Sequence, residues 1–461
     1  MNKSFCLEEK KSPKVVVVGA GLAGLTAAHR LKNGGMEVEI YEARNRVGGR
    51  IFTVQLEGAI AELGAMNITD GGDAVHLHRL IREFKLDLIE SSVLIDHSYL
   101  ENDQIIPFKK LLKEKNIDPE ALRDKIELLK STQNNMKEVL DGLFETCDPI
   151  YRIVEARLAA YEGDSPEKLS TIYSETLYHI ILGGVCSVHQ GSIEEETRVD
   201  LLSIKGGNGL LTNKLADALG ENLYLNMPLK KVSKSRENSY ELTFGNGRVV
   251  EADLLVLAIP ASTYEDIDFG DNVLPVEKLK NIRSIAYGRN AKILVPYSDK
   301  APDQTGFIQD GLIAFFDRVR SCITLFYSGD QSQFSKHNLQ MTYDHARPII
   351  GKHFKGDIPP FKASYALDED FQSYGQSVGY SWPNDPYVKG TYSYISPGQE
   401  DLLTSIEEEK GELVKTLFSP IDNRLYFAGE HTSILMEVPG TMESAAESGE
   451  RVARMILKLK K

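Results

Sequence analysis

The apolar residues near the start of the chain follow the pattern of a strand, a helix and a second strand. Val15 to Val18 form an unbroken β-branched run, which is typical of a strand buried on both faces of a parallel sheet. Helical spacing follows from about Leu22 to Leu31, and Asn33-Gly34-Gly35 suits a C-cap. A second strand, MEVEIYEA, carries Glu42 near its end. The pattern therefore predicts a βαβ unit and an α/β fold.

Three glycines between the first strand and the helix have the spacing of a nucleotide-binding loop. In G-x-G-x-x-G, Gly19 allows a tight turn, Gly21 lets a pyrophosphate approach the backbone, and Gly24 lets the helix pack on the strand. Glu42 is placed to accept a ribose hydroxyl, and a carboxylate there disfavours a 2′-phosphate. A glycine-rich turn without a ligand would share the glycine spacing alone. The strand, the helix and the acid together favour a dinucleotide.

The patterning of the rest of the chain changes from helical to strand-like. From about Ile117 to Glu195 the apolar positions favour helices, and Asp118-Pro119 suits a helix start. Strand patterns return after residue 205, with a hairpin at Asn246-Gly247. The runs AKILVPY, GLIAFFD and SCITLFY predict an antiparallel sheet. For 461 residues we expect two domains.

Composition and charge favour a soluble globular protein and argue against a nucleic-acid-binding one. The chain is 42% apolar and 26% charged with a formal net charge of −14, which is ordinary for a soluble globular protein and unfavourable for nucleic-acid binding. The N-terminus has no apolar signal-peptide core, and no apolar stretch is long enough to span a bilayer, so no membrane association is expected. Neither C-x-x-C nor metal-ligand spacing occurs. We therefore expect no metal site, a cytoplasmic location and reduced thiols at Cys6, Cys147, Cys186 and Cys322.

Two further segments bear on which dinucleotide the chain binds. The segment Asn45–Arg50 continues from the Glu42 strand and supplies glycines and arginines along the path of a long, doubly phosphorylated cofactor. Far along the chain, Leu425–Glu430 has the pattern of a strand that ends in a glycine and an acid, and a helix with many small residues begins near Gly440. Small residues allow the close approach of a ligand, but taken alone this segment favours ordinary helix–sheet packing.

Together these motifs resemble the flavin-containing amine oxidases, a family that includes monoamine oxidase, polyamine oxidase, the flavin histone demethylases and L-amino acid oxidase. The resemblance rests on GAGLAGLTAA, EARNRVGGR and ELGA, on the segment from Trp382 to Tyr394, and on AGEHT before the last helix. It implies a discontinuous Rossmann-like FAD-binding domain at residues 13–95, 200–285 and 375–461. The remaining residues, 96–199 and 286–374, would form an α+β substrate domain built on a mixed or antiparallel sheet plus helices.

The resemblance also assigns residues to the cofactor. It places Glu430 near the ribityl–pyrophosphate part, and Thr441 and Met442 beside the isoalloxazine, where a helix dipole would stabilise negative charge. Trp382, the single tryptophan, also suits a core anchor. The implied cofactor-binding residues are Gly19, Gly21, Gly24, Glu42, Ala43, Arg44, Gly48, Gly49, Arg50, Gly64, Ala65, Met66, Val232, Trp382, Gly429, Glu430, Thr441 and Met442.

Lys292 is the candidate catalytic residue. It enters an apolar strand, where a lysine must find a partner or shift its pKa. In the family, a lysine four residues after a glycine in this strand holds a water at flavin N5, and Gly288 precedes Lys292 by that spacing. The alternative interpretation is that Lys292 lies at a strand end and its ammonium reaches solvent. The resemblance implies hydride transfer from the carbon beside a neutral amine to flavin N5, imine hydrolysis, and reoxidation by O2 to give H2O2.

Several positions bear on the branch of the family. No cysteine follows Cys322, so FAD is expected to be non-covalent, unlike in monoamine oxidase. Thr441 stands where monoamine oxidases carry a tyrosine and is more similar to the polyamine oxidase branch. Asn67 stands where many L-amino acid oxidases have a carboxylate-binding arginine, a role that a residue from elsewhere in the chain, for instance Arg82 or Arg318, would fill in an enzyme of that kind. Candidate substrate contacts are Asn67, Tyr394 and Thr441.

The sequence thus predicts an FAD-dependent amine oxidase acting on a small-molecule amine, with O2 as electron acceptor. An L-amino acid oxidase is the alternative, followed by a flavin desaturase or a non-catalytic FAD-binding protein. A homo-oligomer is compatible with the sequence, which does not indicate the oligomeric state.

Overall fold

The computed structural model describes residues 12–68, 74–90, 98–102, 104–182, 202–235, 239–297, 306–309, 311–317, 320–354, 358, 361–367, 373–436 and 439–459. Cys6, Cys186 and Arg318 lie outside these residues. The helices of the described residues are α1 (Leu22–Asn33), α2 (Val75–Glu83), α3 (Phe108–Lys115), α4 (Pro119–Lys130), α5 (Met136–Leu143), α6 (Pro149–Glu162), α7 (Ser174–Ile181), α8 (Gly209–Leu219), α9 (Val276–Arg283), α10 (Leu339–Phe354), α11 (Glu400–Thr404) and α12 (Met442–Lys458).

The strands of the described residues, in chain order, are β1 (Lys14–Val18), β2 (Glu37–Tyr41), β3 (Thr53–Leu56), β4 (Ala59–Glu62), β5 (Leu88–Glu90), β6 (Tyr99–Glu101), β7 (Gln104–Ile106), β8 (Leu202–Ile204), β9 (Leu223–Tyr224), β10 (Leu229–Lys234), β11 (Tyr240–Phe244), β12 (Val249–Ala252), β13 (Leu254–Leu257), β14 (Asp268–Phe269), β15 (Ala286–Tyr287), β16 (Asn290–Pro296), β17 (Gly306–Gln309), β18 (Leu312–Asp317), β19 (Cys322–Ser328), β20 (Ser364–Tyr365), β21 (Ser373–Tyr374), β22 (Val378–Ser381), β23 (Ser393–Tyr394), β24 (Ile406–Glu409), β25 (Glu412–Lys415) and β26 (Leu425–Phe427).

The first strand lies in the middle of a five-stranded parallel sheet with the order β26-β13-β1-β2-β9. The side chains of Val15, Val16 and Val17 are fully buried, which agrees with a strand covered on both faces. The predicted helix extends to Asn33, and Gly35, with a φ of +74°, takes the left-handed conformation just beyond it. The predicted βαβ unit is therefore confirmed.

Helices α1 and α12 pack against each other on one face of this sheet. The contact is close because Gly449 of α12 lies against the backbone of α1: an added Cβ would stand 2.3 Å from the carbonyl oxygen of Ala23. Leu25, Ala28, Val452 and Ile456 form part of the buried apolar cluster between the helices and the sheet. The opposite face of the sheet packs against the antiparallel β10–β11–β12 sheet, which contains the predicted hairpin, with Gly247 at a φ of +83°.

A second, eight-stranded sheet has the order β20-β22-β16-β19-β18-β17-β6-β7. Strands β16, β19 and β18 pair antiparallel, as the three apolar runs predict. The predicted helical stretch contains α4 to α7, which pack on one face of this sheet around Ile150, Leu158 and Leu177. Helix α10 covers the other face. Strands β16, β18 and β19 therefore lie between two layers of helices.

We predict that Gly449→Ala destabilises the fold. Alanine in a helix gains about 1 kcal/mol in intrinsic propensity over glycine. The added methyl cannot be accommodated against the Ala23 carbonyl without moving α1 away from α12, and such overpacking costs about 1–3 kcal/mol or more. We expect a net fall in the urea midpoint. Gly375→Ala is the matched control, because nothing lies within 4 Å of its added Cβ. Equal midpoints for the two variants would show that the helix contact is not tight.

Candidate functional site

A cavity of about 810 Å³ connects the parallel sheet with the eight-stranded sheet. Its volume lies within the range of small-molecule and cofactor sites, about 300–1,000 Å³. Both ends of the chain contribute to its wall, since Gly19 and Gly21 line it together with Gly429 and Glu430. This follows from the strand order, because β1 is separated from β26 only by β13.

The three motif glycines have different surroundings. Gly19 has a φ of +101°, and a Cβ there would stand 2.5 Å from the Ala258 carbonyl oxygen. A Cβ on Gly24 would stand 1.9 Å from the Gly19 carbonyl oxygen. Gly21 has nothing within 4 Å of an added Cβ and lies on the cavity wall at the N-terminus of α1. Gly19 is thus required for the turn, and Gly24 for the close packing of the helix. Gly21 leaves room for a phosphate beside the helix N-terminus.

Glu42 lies on the cavity wall and is held by the backbone. Its two carboxylate oxygens accept hydrogen bonds from the amides of Ala20 (2.7 Å) and Arg44 (3.0 Å). Each oxygen keeps a further lone pair. Burial raises the pKa of Glu42, while the nearby Arg44 and the two amides oppose that rise. The carboxylate is fixed in orientation and retains the acceptor capacity that a ribose hydroxyl requires.

The arginines after β2 have three different partners. Arg44 forms a buried ion pair with Asp385, and its guanidinium lies 5.0 Å from the centre of the Tyr387 ring. Arg46 stacks on Phe52 at 3.9 Å and does not line the cavity. Arg50 donates to Glu430 (2.8 Å) and to the Thr391 carbonyl (2.7 Å). Arg50 therefore joins the N-terminal motif directly to the C-terminal one.

Glu430 is almost fully buried at this junction. It accepts hydrogen bonds from Arg50 and from the amide (3.2 Å) and hydroxyl (2.7 Å) of Ser393. Burial acts to raise the pKa of Glu430, but Arg50 and the other donors hold it below its usual value. The carboxylate is thus ionised and neutralises Arg50 at the centre of the cavity wall.

The last helix begins at the cavity. Thr441 is the N-cap of α12, and its hydroxyl accepts a hydrogen bond from the Ser444 amide at 3.2 Å. Thr441, Met442 and Ala445 line the cavity. The positive end of the α12 dipole therefore faces the space between the two sheets.

Lys292 lies on the cavity wall in β16 and is 7% exposed. Its Nζ donates to the backbone carbonyls of Glu62 (3.1 Å) and Gly64 (2.6 Å). Burial lowers the pKa of Lys292 to about 8, opposed by the negative charge of Glu62. The lysine is therefore held inside the protein by the loop after β4 and does not extend to solvent.

The part of the wall formed by α6 and the eight-stranded sheet, hereafter the substrate end, is mostly apolar. Met66, Asn67 and Tyr392 adjoin it on the cavity wall. The Tyr392 hydroxyl donates to the Ala160 carbonyl at 2.5 Å and lies 3.0 Å from Nδ2 of Asn290. The substrate end consists of Arg157, Ala160, Tyr161, Asn290, Ala291, Lys292, Ile313, Phe315 and Phe326.

Most of the residues predicted for the site lie on the cavity wall. They are Gly19, Gly21, Glu42, Ala43, Arg44, Gly48, Gly49, Arg50, Gly64, Ala65, Met66, Asn67, Lys292, Trp382, Gly429, Glu430, Thr441 and Met442. The Trp382 indole donates to the Leu63 carbonyl at 3.0 Å, so this residue is both a core anchor and part of the wall.

Three predicted residues do not line the cavity. Gly24 lies in the packing of α1 on β1. Val232 is part of β10, and its side chain is fully buried in the core, while the cavity is lined by Met227 to Lys230 just before it. Tyr394 is buried with its hydroxyl 3.5 Å from Asp164. Tyr392 occupies the position expected of Tyr394.

The sequence interpretation missed Tyr392 and Arg157. In G-T-Y-S-Y the two tyrosines are separated by one residue, and the pattern alone does not distinguish them. On α6, Arg157 follows the buried residues Ile153 and Val154. Arg157 lines the cavity together with Ala160 and Tyr161, which come three and four residues after it and therefore lie on the same helix face. Arg82, the alternative proposed for a carboxylate, does not line the cavity.

Two kinds of feature do not occur in the part of the chain that the structure describes. No helix there is both long and apolar enough to cross a membrane. No three His, Cys, Asp or Glu side chains among these residues are grouped so that they could hold a metal ion. Cys147 and Cys322 are free cysteines.

Comparison with known proteins gives consistent matches over nearly the whole chain. The model of the flavin containing amine oxidoreductases matches residues 22–457. An L-amino-acid oxidase of Siganus canaliculatus is 25% identical, over 97% of this chain and 86% of its own length. Human amine oxidase [flavin-containing] B is also 25% identical, over 96% of this chain and 86% of its own.

Solved structures show the same fold. The cyclohexylamine oxidase of Brevibacterium oxydans IH-35A superposes with a TM-score of 0.71 at 19% identity, covering 98% of this chain and all of its own. A putrescine oxidase bound to putrescine gives 0.70 at 18% identity, covering 97% and 99%. These likenesses confirm the predicted fold class, an α/β fold in which a Rossmann-like parallel sheet is combined with a second part built on a mixed sheet and helices.

We predict that Gly21→Ala weakens FAD binding, whereas Gly24→Ala lowers the stability of the protein. The Gly21 methyl meets no protein atom, so the flavin-free protein should keep its free energy of unfolding within about 0.5 kcal/mol. The added methyl group would occupy the space through which a pyrophosphate approaches the loop, so the affinity for FAD should fall about tenfold or more. Gly24→Ala should lower the free energy of unfolding itself, by about 1–3 kcal/mol. Flavin absorbance per chain and thermal unfolding separate the two effects. Wild-type FAD affinity in Gly21→Ala would contradict the assignment of the loop.

We also predict a pH-dependent difference in stability between wild type and Lys292→Met. With a folded pKa of about 8 against about 10.5 unfolded, the unfolded chain binds the proton more tightly, so this lysine reduces stability below pH 8. That cost disappears as pH rises from about 8 to 10.5, a change of up to about 3 kcal/mol. The stability of the variant relative to wild type should therefore fall between pH 7.5 and 10. Urea titrations at both pH values measure it, with exposed Lys125→Met as the control. A pH-independent difference would place Lys292 in contact with solvent.

Proposed function

The chain belongs to the flavin containing amine oxidoreductase family, and from this we propose that it is an FAD-dependent amine oxidase acting on a primary or secondary amine. The net reaction takes the amine, O2 and water to a carbonyl compound, ammonia or a smaller amine, and H2O2. When bound, FAD would supply the redox chemistry, since it accepts a hydride, which is two electrons and one proton, from the carbon next to nitrogen and passes the two electrons to O2. The observation that carries the proposal is the buried Lys292 on the wall of a cavity that the N-terminal and C-terminal motifs build together.

The described residues suit non-covalent FAD. The N-terminus of α1 beside Gly21 would hold the pyrophosphate, and Glu42 would accept from a ribose hydroxyl. Glu430 with Arg50 would hold the middle of the cofactor, and the N-terminus of α12 would stabilise negative charge on the ring. No cysteine follows Cys322 in the sequence, which supports a non-covalent cofactor. The division into FAD-binding residues 13–95, 200–285 and 375–461 and substrate-binding residues 96–199 and 286–374 is part of this proposal.

Lys292 would hold a water or a proton at the reacting end of the substrate. An ammonium has three N–H donors, and the carbonyls of Glu62 and Gly64 accept two of them. The third is available to the cavity. A pKa of about 8 allows Lys292 to exchange a proton near neutral pH.

The substrate end favours a neutral amine at the moment of reaction. Ile313, Phe315 and Phe326 make this part of the cavity wall apolar. In such surroundings the charged form of an amine is disfavoured, and the neutral form has the lone pair needed to expel hydride from the adjacent carbon. The wall thus selects the reactive protonation state without a dedicated carboxylate base.

An L-amino acid oxidase is the second candidate function. Relatives with that name are 25% identical over nearly the whole chain. Asn67 lies on the cavity wall, so the arginine that many of these enzymes carry there is replaced by a neutral side chain. Arg157 provides a guanidinium on the same wall from a different element.

We predict peroxide release from amines and a strong effect of Lys292→Met. The purified yellow protein should release H2O2 with a monoamine, a polyamine or an L-amino acid, measured by a peroxidase-coupled assay. Lys292→Met should slow flavin reduction or reoxidation about 100-fold, the low end of the range of about 10²–10⁴-fold for the loss of a proton-transfer group. FAD should stay bound, because the flavin contacts lie on other elements.

Lys125→Met is the matched control for this experiment, since Lys125 is exposed on α4, outside the cavity wall. Unchanged kinetics in Lys292→Met would remove the lysine from the mechanism. A yellow wild-type protein whose flavin is reduced by none of these substrates under anaerobic conditions would favour a desaturase or a non-catalytic flavoprotein.

A further inference from the structure

The backbone at the end of β4 directs its carbonyls toward side chains from other elements. Lys292 donates to the carbonyls of Glu62 and Gly64, and the indole of Trp382 donates to the carbonyl between them. This run of residues continues to Met66 and is hereafter the carbonyl segment (residues 62–66). Two of the three N–H donors of the Lys292 ammonium are directed at its oxygens. The position of the carbonyl segment therefore decides the orientation of the ammonium.

Asn208 holds the second half of the carbonyl segment. Its Nδ2 donates to the carbonyls of Ala65 (3.1 Å) and Met66 (2.9 Å), and its Oδ1 accepts from the Ile204 amide (3.1 Å). These contacts use both N–H donors of the side-chain amide. Asn208 is 1% exposed and does not line the cavity. It can therefore influence the chemistry of the cavity only through the residues that it holds.

The same residue is also tied to the first half of the carbonyl segment. The backbone amide of Asn208 donates to the Glu62 carboxylate at 2.7 Å, and this carboxylate accepts from the Thr53 hydroxyl at 2.9 Å. The Thr53 oxygen in turn accepts from the Gly209 amide at 2.8 Å. Gly207 has a φ of +102°, and an added Cβ there would stand 2.3 Å from Cγ2 of Thr53. The turn that carries Asn208 is thus packed tightly on β3.

We propose that Asn208 is a positioning residue for Lys292. Both side chains bind carbonyls of the same short segment, so a shift of the end that Asn208 holds changes the direction of the oxygens that Lys292 meets. The third N–H donor of Lys292, which is available to the cavity, then points elsewhere. A misplacement of about 1 Å at a reacting group can slow a reaction about 100-fold. The inference rests on the role of Lys292 in the amine oxidation proposed above.

Hydrogen exchange of the full-length holoenzyme tests whether Asn208 holds the carbonyl segment. The amides of Leu63 and Ala65 donate to carbonyls just before β3. In Asn208→Ala we expect these two amides to exchange at least about tenfold faster than in wild type, because the segment opens more often. Asn135→Ala is the matched control, since Asn135 caps α5 and does not line the cavity. Wild-type exchange of the segment in Asn208→Ala would overturn the proposal.

A double-mutant cycle tests whether Asn208 acts through Lys292. The step to follow is the one that Lys292→Met slows, either anaerobic flavin reduction or reoxidation by O2, with whichever of benzylamine, putrescine and phenylalanine reduces the wild-type flavin fastest. Asn208→Ala should slow this step about tenfold or more in the wild-type background. In the Lys292→Met background it should slow the step less than about twofold, because the group that Asn208 positions is absent.

The same control variant applies to the cycle. Asn135→Ala should leave the rate within about twofold in both backgrounds. An equal loss by Asn208→Ala with and without Lys292 would assign to Asn208 a general structural role, or an effect on FAD or substrate placement, and would overturn the proposal.

Thr53→Val covers the case in which Asn208→Ala does not fold. Valine keeps the branched shape and removes the hydroxyl that joins the Glu62 carboxylate to the Gly209 amide. We expect a loss of about threefold or more, typical of one neutral hydrogen bond, and again only when Lys292 is present. A loss of the same size in the Lys292→Met background would overturn the proposal.

Failure of the inference is distinguishable from failure of the proposed function. If none of the three amines reduces the flavin anaerobically, amine oxidation fails, and the inference fails with it. If an amine reduces the flavin but Lys292→Met slows neither step, amine oxidation stands and the positioning role of Asn208 is overturned.

Discussion

The pairing of the first strand with strands from the middle and the end of the chain is the constraint on which the rest of the structure depends. β1 pairs with β13, and β13 pairs with β26, all in parallel. Because the carboxyl ends of parallel strands meet at one edge, the loop after β1 and the loop after β26 open into the same cavity. The close contact of Gly449 with α1 then fixes the last helix beside the first. The Arg50–Glu430 ion pair joins two segments that this strand pairing brings together.

Electrostatics divide the cavity into two parts with different properties. In the part near the glycine loop, charges are paired within the protein, as Arg50 is with Glu430 and Arg44 with Asp385. In the substrate end, Lys292 is held by the backbone carbonyls of Glu62 and Gly64, so its charge is oriented by neutral dipoles. Dipoles orient a cation without cancelling it, and the ammonium of Lys292 can therefore act on whatever enters this part of the cavity.

The sequence was sufficient where function depends on local backbone geometry. The G-x-G-x-x-G loop, the first helix and the hairpin at Gly247 follow from short-range preferences, and each is present. It was insufficient where a side chain's direction depends on packing between distant elements. Val232 and Tyr394 each lie within a few residues of cavity-lining positions, yet their side chains enter the core. Arg157 could not be assigned, because the face of α6 that meets the cavity is decided by its packing on the eight-stranded sheet and α7.

The shared wall built by Gly21 and Glu430 also has a consequence for synthesis. During translation the glycine loop leaves the ribosome first, while β26 and α12 follow at the other end of the chain. At about 5–20 residues per second, the interval between them is on the order of tens of seconds. Until β26 has been made, the parallel sheet lacks one of its edge strands, and the cavity lacks the wall that Glu430 and Thr441 form. The cavity is therefore complete only late in synthesis, and a chain that stops before β26 would have a nucleotide-binding loop that opens into an unfinished site.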